Sequence, residues 1–387
     1  MNLYELKLLE SIGQLRDLLS KNSGRSVNLR IASDISICLQ QGRSFFESAG
    51  KSSLEISPLL IFYGMFAFSK AVILARGLTT LDTLPQSHGL KDVTEHSARL
   101  DETKIKIEER GTFQKLNDVV RELEGLIVSD FPERTIIRKP TSKSEDFSNK
   151  TIDLREILAR IPNLQHLYSR TFDEDPKALG CGHFSVEKDR AIVTLNVSVN
   201  KPLPNVDAVK LEVEKLRTKF QFLKNWIIYS ASDYGELSGI NFCNINPVDK
   251  DEFSESWFND KILKHPFVPV PKPDDKRFED ISQYVDPISG ILHKTGTYET
   301  AIIEKFSGLA LPEMILYYLG MFALGSLVRY RPNHWVSAIR KTPRQDGVVD
   351  DKAMALIENF IDKTLDVYPT MVVNAIREPY NPSRETD

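Results

Sequence analysis

Arg329-Tyr330-Arg331-Pro332-Asn333-His334 places a histidine shortly after an arginine, at the end of an apolar run. Histidine exchanges protons near neutral pH, so it can serve as general base or general acid. An arginine beside it can hold a phosphodiester and stabilise the charge that develops there. Metal-free RNA cleavage needs little more, because the substrate's own 2′-OH is the nucleophile. Arg329 and His334 are therefore the candidate catalytic pair, with Tyr330, Arg331, Trp335 and His88 as candidate binding residues. A non-catalytic reading fits the same residues. Arg329 and Arg331 would cap the carbonyl end of the apolar helix, where the helix dipole favours cations, and Trp335 would anchor the following turn. His88 reads equally as a turn residue.

A second arginine–histidine spacing occurs at Arg160 to His166. Both stretches contain a proline, Pro162 and Pro332, which disfavours a continuous helix through either one. Cys38, Cys181 and Cys243 form no CxxC pair. Cys181-Gly182-His183 offers two metal ligands, but the remainder of a site is not visible, so no metal and no cofactor is expected. The sequence also lacks a GxxxxGK[ST] phosphate loop, GxGxxG, HExxH, GxSxG and kinase signatures, which argues against the enzyme classes built on them.

The 387 residues carry 50 Lys+Arg against 54 Asp+Glu, a net charge of −4 with 41% hydrophobic residues. This balance gives no general steering field toward nucleic acid or anionic membrane. Any RNA contact must be local, at the basic clusters 134–143 and 329–344. The N-terminal MNLYELKLLESIGQL has no signal-peptide pattern. Pro58 to Ala75 carries a single charge, Lys70. It and Met314 to Val328 read as buried core helices rather than membrane spans, so a cytoplasmic, soluble protein is expected.

The elements that must position the candidate residues are mainly helical. Leu6, Leu9, Ile12, Leu15, Leu18 and Leu19 share one helix face, and Asn22-Ser23-Gly24 ends that helix. A second helix runs from about Val27 to Ser48. Ser57-Pro58 opens the first apolar helix and Arg76-Gly77 closes it. Lys104 to Glu108 alternates like a strand, before a turn at Arg110-Gly111. Ile152 to Ile161 is a short helix stopped by Pro162. His183 to Val199 is the clearest β-rich stretch, and Phe220 to Tyr229 reads as a further strand. Met354, Ile357, Phe360, Ile361, Leu365 and Tyr368 make an apolar stripe that ends at Pro369. The expected fold class is therefore mainly α with a smaller β-containing middle section. Residues 1–130 and 301–377 form the helical core, and 131–150 is a basic polar linker. Residues 151–300 form the mixed middle section, with a proline-rich loop at 265–273, and 378–387 is a polar tail.

The two apolar helices resemble each other. Ile61 to Ala67 and Tyr317 to Ala323 both contain Gly-Met-Phe-Ala, with Val72 and Val328 eight places after the glycine. Glycine inside a helix costs about 1 kcal/mol relative to alanine, so its use twice suggests close packing. Two readings are open: a duplicated unit whose helices pair, or two unrelated core helices.

Several stretches together resemble the YaaC-like protein family. They are Ser57-Pro-Leu-Leu-Ile-Phe-Tyr-Gly64, His88-Gly-Leu90, Lys104 to Phe113, Leu154 to Pro162, and the apolar helix ending in Arg329-Tyr330 before Trp335. The resemblance is colinear over most of the chain. It implies a bacterial cytosolic protein, with phage-defence loci as a context, and brings no activity or catalytic residues with it. The Arg329–His334 spacing separately resembles the motif of HEPN ribonucleases, which implies a symmetric dimer with two such motifs facing one cleft. Two functional classes result. One is a non-catalytic interaction or regulatory subunit with a protein partner. The other is a HEPN-like, metal-independent endoribonuclease, homo-oligomeric and acting on RNA.

Overall fold

Two helices that are apolar on every side decide the centre of the fold, because such a helix must be surrounded. In the computed structural model these are α4 (Ser57–Gly77) and α9 (Glu313–Tyr330). The structure describes residues 3–123, 125–130, 133–138, 147–187, 192–199, 201–220, 223, 227–233, 238–244, 288–289 and 300–380. Every residue of α9 from Glu313 to Leu327 is buried. α4 packs against α3 (Leu29–Ala49), α5 (Thr112–Leu123), α9 and α11 (Met354–Arg377). It is long and apolar enough to cross a membrane, and most of it is covered by these neighbours. The core is thus closed by both ends of the chain.

α4 and α9 do pair, but not through Gly64 and Gly320. The contact runs through Phe62, which meets Phe322 edge-on at 5.2 Å and Tyr318 at 5.6 Å. Gly64 instead lies under the ring of Phe46 on α3, and Gly320 lies under Phe360 on α11. Each glycine admits an aromatic ring from a third helix, which is why both helices carry one.

Local physics moved several boundaries. The expected single N-terminal helix is split into α1 (Tyr4–Leu9) and α2 (Ile12–Ser23). At the break, the Ser36 hydroxyl donates to the Glu10 carbonyl at 2.6 Å and Arg43 binds the Glu10 carboxylate at 2.6 Å. Gly24 closes α2 in the left-handed region, at φ 67°. At the end of α4 that role falls to Leu78, φ 47°, one residue beyond Gly77. α11 continues through Pro369, contrary to the expected stop. Burial of Tyr368, Met371, Val372, Ala375 and Ile376 outweighs the lost backbone hydrogen bond. The expected tail is docked over its first residues. Arg76 Nη1 donates to the Glu378 carbonyl at 2.5 Å, and its guanidinium lies 4.4 Å from the Tyr380 ring centre. Residues 381–387 lie outside the described part.

A small antiparallel sheet, β1 (Leu90–Asp92), β2 (Lys104–Ile107) and β5 (Thr151–Asp153), packs on the helical body through Leu90, Ile105, Ile107 and Ile152. Two helices follow it, α6 (Leu154–Ala159) and α7 (Gln165–Phe172). The larger sheet belongs to the middle of the chain. Its strands are β6 (Ala178–Glu187), β7 (Ile192–Val199), β8 (Ile227–Asp233), β9 (Ser238–Asn244), β10 (Ile288–Ser289) and β11 (Thr300–Ile303). They run in the order β10-β11-β6-β7-β9-β8. β3 (Gly125–Asp130) pairs in parallel with β6 and antiparallel with β4 (Glu133–Arg138). The expected linker at 131–150 is therefore corrected. Part of it is a strand, and Lys150 and Asn149 bond to Ile107 at its other end. Phe220, expected to begin a strand, instead caps α8 (Val206–Lys219), whose Val209, Val213 and Leu216 pack on Leu195, Val197, Ile240 and Phe242. The proline-rich 265–273 and the side chains of Cys181 and His183 lie outside the described part.

Arg160 joins the two parts. It is buried, donates from Nε to the Glu304 carbonyl at 2.9 Å and pairs with Glu156. His166 is exposed. The second arginine–histidine spacing is therefore structural: Pro162 breaks the helix between them, and Arg160 is consumed by the joint.

Candidate functional site

α9 leaves the core at its last turn. Arg331 breaks the helix (φ −137°, ψ 49°), and Pro332 begins α10 (Pro332–Ile339), where its missing N–H costs nothing. The bend opens a cleft of about 1090 Å³. One wall is the end of α9, α10 and the segment to Gln345. The other is the chain from His88 to Asp92 with His96. Arg329, Tyr330, Arg331, His334 and His88 all line it, so five of the six singled-out residues come together. Trp335 does not. It is fully buried, and its indole N–H donates to the Leu54 carbonyl at 3.2 Å. Its expected binding role is corrected to an anchor that fixes α10 to the body.

Arg331 occupies the C-cap position of α9, its backbone N–H donating to the Leu327 carbonyl at 2.9 Å, but the side chains of Arg329 and Arg331 are engaged elsewhere. Arg329 Nη1 donates to the Tyr63 hydroxyl at 3.2 Å, and its guanidinium lies 4.7 Å from the Tyr330 ring centre. Its buried Nε has no partner. Arg331 reaches across the cleft, donating to the carbonyls of Glu95, at 2.6 Å, and Thr94. Arg344 does the same one step along, to Ala98 at 2.9 Å and Ser97 at 3.2 Å, while also pairing with Asp346. That pairing pulls the exposed Asp346 carboxyl down to about 2. These two arginines hold the loop 94–98 against the C-terminal segment. The loop carries His96, whose ring stacks on His334 with centroids 5.6 Å apart.

His88 is placed by a close backbone crossing. Gly89 (φ 76°) and Gly111 (φ 151°) approach so tightly that neither position has room for a Cβ. The His88 ring then stands edge-on to Phe66 at 4.4 Å and Phe62 at 5.2 Å, and its buried Nδ1 has no partner. Burial, followed by the charges of Arg329 and Lys70, pushes its pKa below the ordinary value. His334 is lowered as well, first by burial and then by Arg344, His96 and Arg331. Both imidazoles are therefore mainly neutral at pH 7, each offering one N–H hydrogen-bond donor and one acceptor nitrogen that can take up a proton. Arg329 acts on His88, whereas His334 belongs with His96 and Arg344. The cleft has two sub-sites rather than one Arg–His pair.

Around these sub-sites the cleft is cationic. Lys91, Arg329, Arg331, Arg340 and Arg344 line it, opposed only by Asp92 among its lining residues. Ser326, one turn before Tyr330 on α9, also lines it. It is fully buried, and its hydroxyl has no partner. The arrangement can bind an anion, and it can move protons at two histidines. Among the described residues no three His, Cys, Asp or Glu side chains gather as a metal site. Sequence reasoning missed His96, Ser326 and Lys91. The 329–344 basic cluster signalled Arg340 and Arg344. Nothing signalled His96, because its position is set by two arginines more than two hundred residues away.

The YaaC-like protein family model matches residues 19–376, and the chain belongs to that family. The match begins inside α2 and ends one residue before the end of α11, so the sheet lobe, the cleft and the helical body except α1 and the start of α2 lie in the family unit. Neither curated proteins nor solved structures give a match.

Proposed function

We propose that the protein is a non-catalytic regulatory subunit that binds a phosphate-bearing ligand in this cleft and reports it to a protein partner. One observation carries the reading. Arg329 Nε, Ser326 Oγ and His88 Nδ1 are polar groups of the cleft wall left without partners, beside five basic side chains. Buried donors that stay unpaired are costly, and a phosphate oxygen satisfies them. The test is calorimetric titration of pyrophosphate into the wild type and into Arg329→Gln and Arg340→Gln. Saturable binding, weakened about tenfold or more by either change, is expected from the loss of a charged hydrogen bond. Absent binding, or equal binding by all three, refutes it.

A second reading is favoured by the stacked His96 and His334: a metal-independent endoribonuclease in which His334 acts with His96, while Arg329, in the other sub-site of the same cleft, supplies positive charge for the phosphate. One histidine would take the 2′-OH proton as that oxygen attacks phosphorus. The other, entering the cycle as imidazolium, would give its proton to the departing 5′ oxygen, leaving a 2′,3′-cyclic phosphate and a 5′-hydroxyl. RNA degraded by the wild type but not by His334→Ala or His96→Ala, at unchanged thermal stability, supports it. Equal degradation, or none by the wild type, sinks it.

A further inference from the structure

We propose that the ligand of the cleft is a nucleotide unit, with its base stacked on Tyr330 and its phosphate held beside Arg329 and Ser326. The inference rests on the phosphate-binding reading above and names the ligand class. Tyr330 lines the cleft, yet 65% of its surface is exposed. Few large apolar side chains among the described residues are as open. Its ring is not loose, because the Arg329 guanidinium lies 4.7 Å from its centre. Arg329 is itself tied to the Tyr63 hydroxyl, and the Tyr63 ring stacks on Phe45 at 5.8 Å. The result is a platform anchored through Arg329 to half-buried aromatic rings of α4 and α3 and open to solvent. Tyrosine adds little cost on ordering, since only two side-chain torsions must be fixed.

A phosphate alone has no use for such a platform. An aromatic surface beside a cationic cleft matches the two halves of a nucleotide, a π-face and a phosphate. The dimensions agree: about 1090 Å³ far exceeds an inorganic anion and suits a nucleotide or a short strand. The unpartnered Ser326 hydroxyl lies one helical turn from Tyr330 on the same face, so base and phosphate can be held from one element. Free nucleotides and single-stranded RNA share this chemistry.

The test compares ADP with pyrophosphate, which carries the same diphosphate without ribose and base, and with an eight-nucleotide oligoadenylate. Each is titrated calorimetrically into the wild type, Tyr330→Ala and Tyr330→Phe. Tyr330 is exposed, so its truncation does not empty the core. The wild type should bind ADP about 5- to 100-fold more tightly than pyrophosphate, the range that loss of one stacked base produces. Tyr330→Ala should abolish that ratio and Tyr330→Phe should keep it. A Tyr330-dependent preference for the oligomer over ADP assigns a strand, and the reverse order assigns a free nucleotide. Equal affinity for ADP and pyrophosphate, or a ratio unchanged in Tyr330→Ala, overturns the stacking proposal while leaving phosphate binding intact. If neither compound binds, both proposals fall together.

Discussion

Adding one methyl group at three glycines should produce three different outcomes. A Cβ at Gly64 would sit 2.5 and 2.8 Å from ring carbons of Phe46 and 3.0 Å from the carbonyl oxygen of Gly42. Phe46 cannot retreat: it is fully buried between Phe68 at 5.1 Å and Tyr368 at 6.5 Å. Overpacking of this kind costs about 1–3 kcal/mol, and the helix-propensity gain of Gly→Ala returns about 1 kcal/mol. With backbone as well as ring in the way, Gly64→Ala belongs at the upper end, a net loss of about 2 kcal/mol. At Gly320 the Cβ would meet ring carbons of Phe360 at 2.6 and 2.9 Å and Ile157 Cγ2 at 3.4 Å, side-chain atoms with no backbone among them, and the net loss should be about 1 kcal/mol. At Gly325 the nearest atom is Phe62 Cβ at 3.4 Å, an ordinary contact, so Gly325→Ala should be neutral or stabilising by up to about 1 kcal/mol. Urea unfolding followed by circular dichroism ranks the three. Tyr63, which holds Arg329, is the neighbour of Gly64, so the first variant should also weaken any ligand binding. A Gly64→Ala protein as stable as wild type, or a Gly325→Ala protein as damaged as Gly64→Ala, would refute the packing argument.

Three further outcomes follow from the cleft and its supports. Trp335→Phe removes the donor to the Leu54 carbonyl and leaves a void, so it should cost about 1–3 kcal/mol in thermal unfolding; unchanged stability would contradict the anchor role. Arg331→Met releases the carbonyls of Thr94 and Glu95, and amide exchange across residues 93–98 should accelerate while α9 keeps its protection. The pKa values of His88 and His334 lie below 6.5 in the folded protein, so the unfolded chain binds more protons once the pH falls under that value. Their contribution to stability is complete above about pH 6.5 and is lost on acidification. The urea midpoint should therefore drop between pH 7.5 and 5.5, and drop less in His88→Asn.

The helical body and its closure by both chain ends were legible because α4 and α9 are apolar on all faces, a pattern that permits only a central position. The β-rich stretch from residue 183 to 199 was legible from its branched, alternating residues. Helix ends were less so. Pro369 reads as a stop in isolation, but burial around it overrides that local preference. Phe220 looks like a strand residue and instead closes α8. The β4 strand was hidden because its charged residues, Glu133, Arg134 and Arg138, read as a polar linker. At the site, Arg329, Tyr330, Arg331, His334 and His88 were visible as residue types. Their division into two sub-sites was not, because Tyr63 claims Arg329 and the loop carbonyls claim Arg331. His96 carries no local signal at all, since it is the long-range hydrogen bonds from Arg331 and Arg344 to its loop that hold it against the segment carrying His334.

Histidine resonances, followed through a pH titration with and without pyrophosphate, test the cleft most directly. With imidazole-labelled protein and assignments from His88→Asn and His334→Asn, both groups should titrate below 6.5 in the free protein. Both should shift upward when pyrophosphate binds, because an adjacent anion favours the imidazolium form. Pyrophosphate that binds while leaving both titrations unmoved would place the anion elsewhere and contradict the assignment of the cleft.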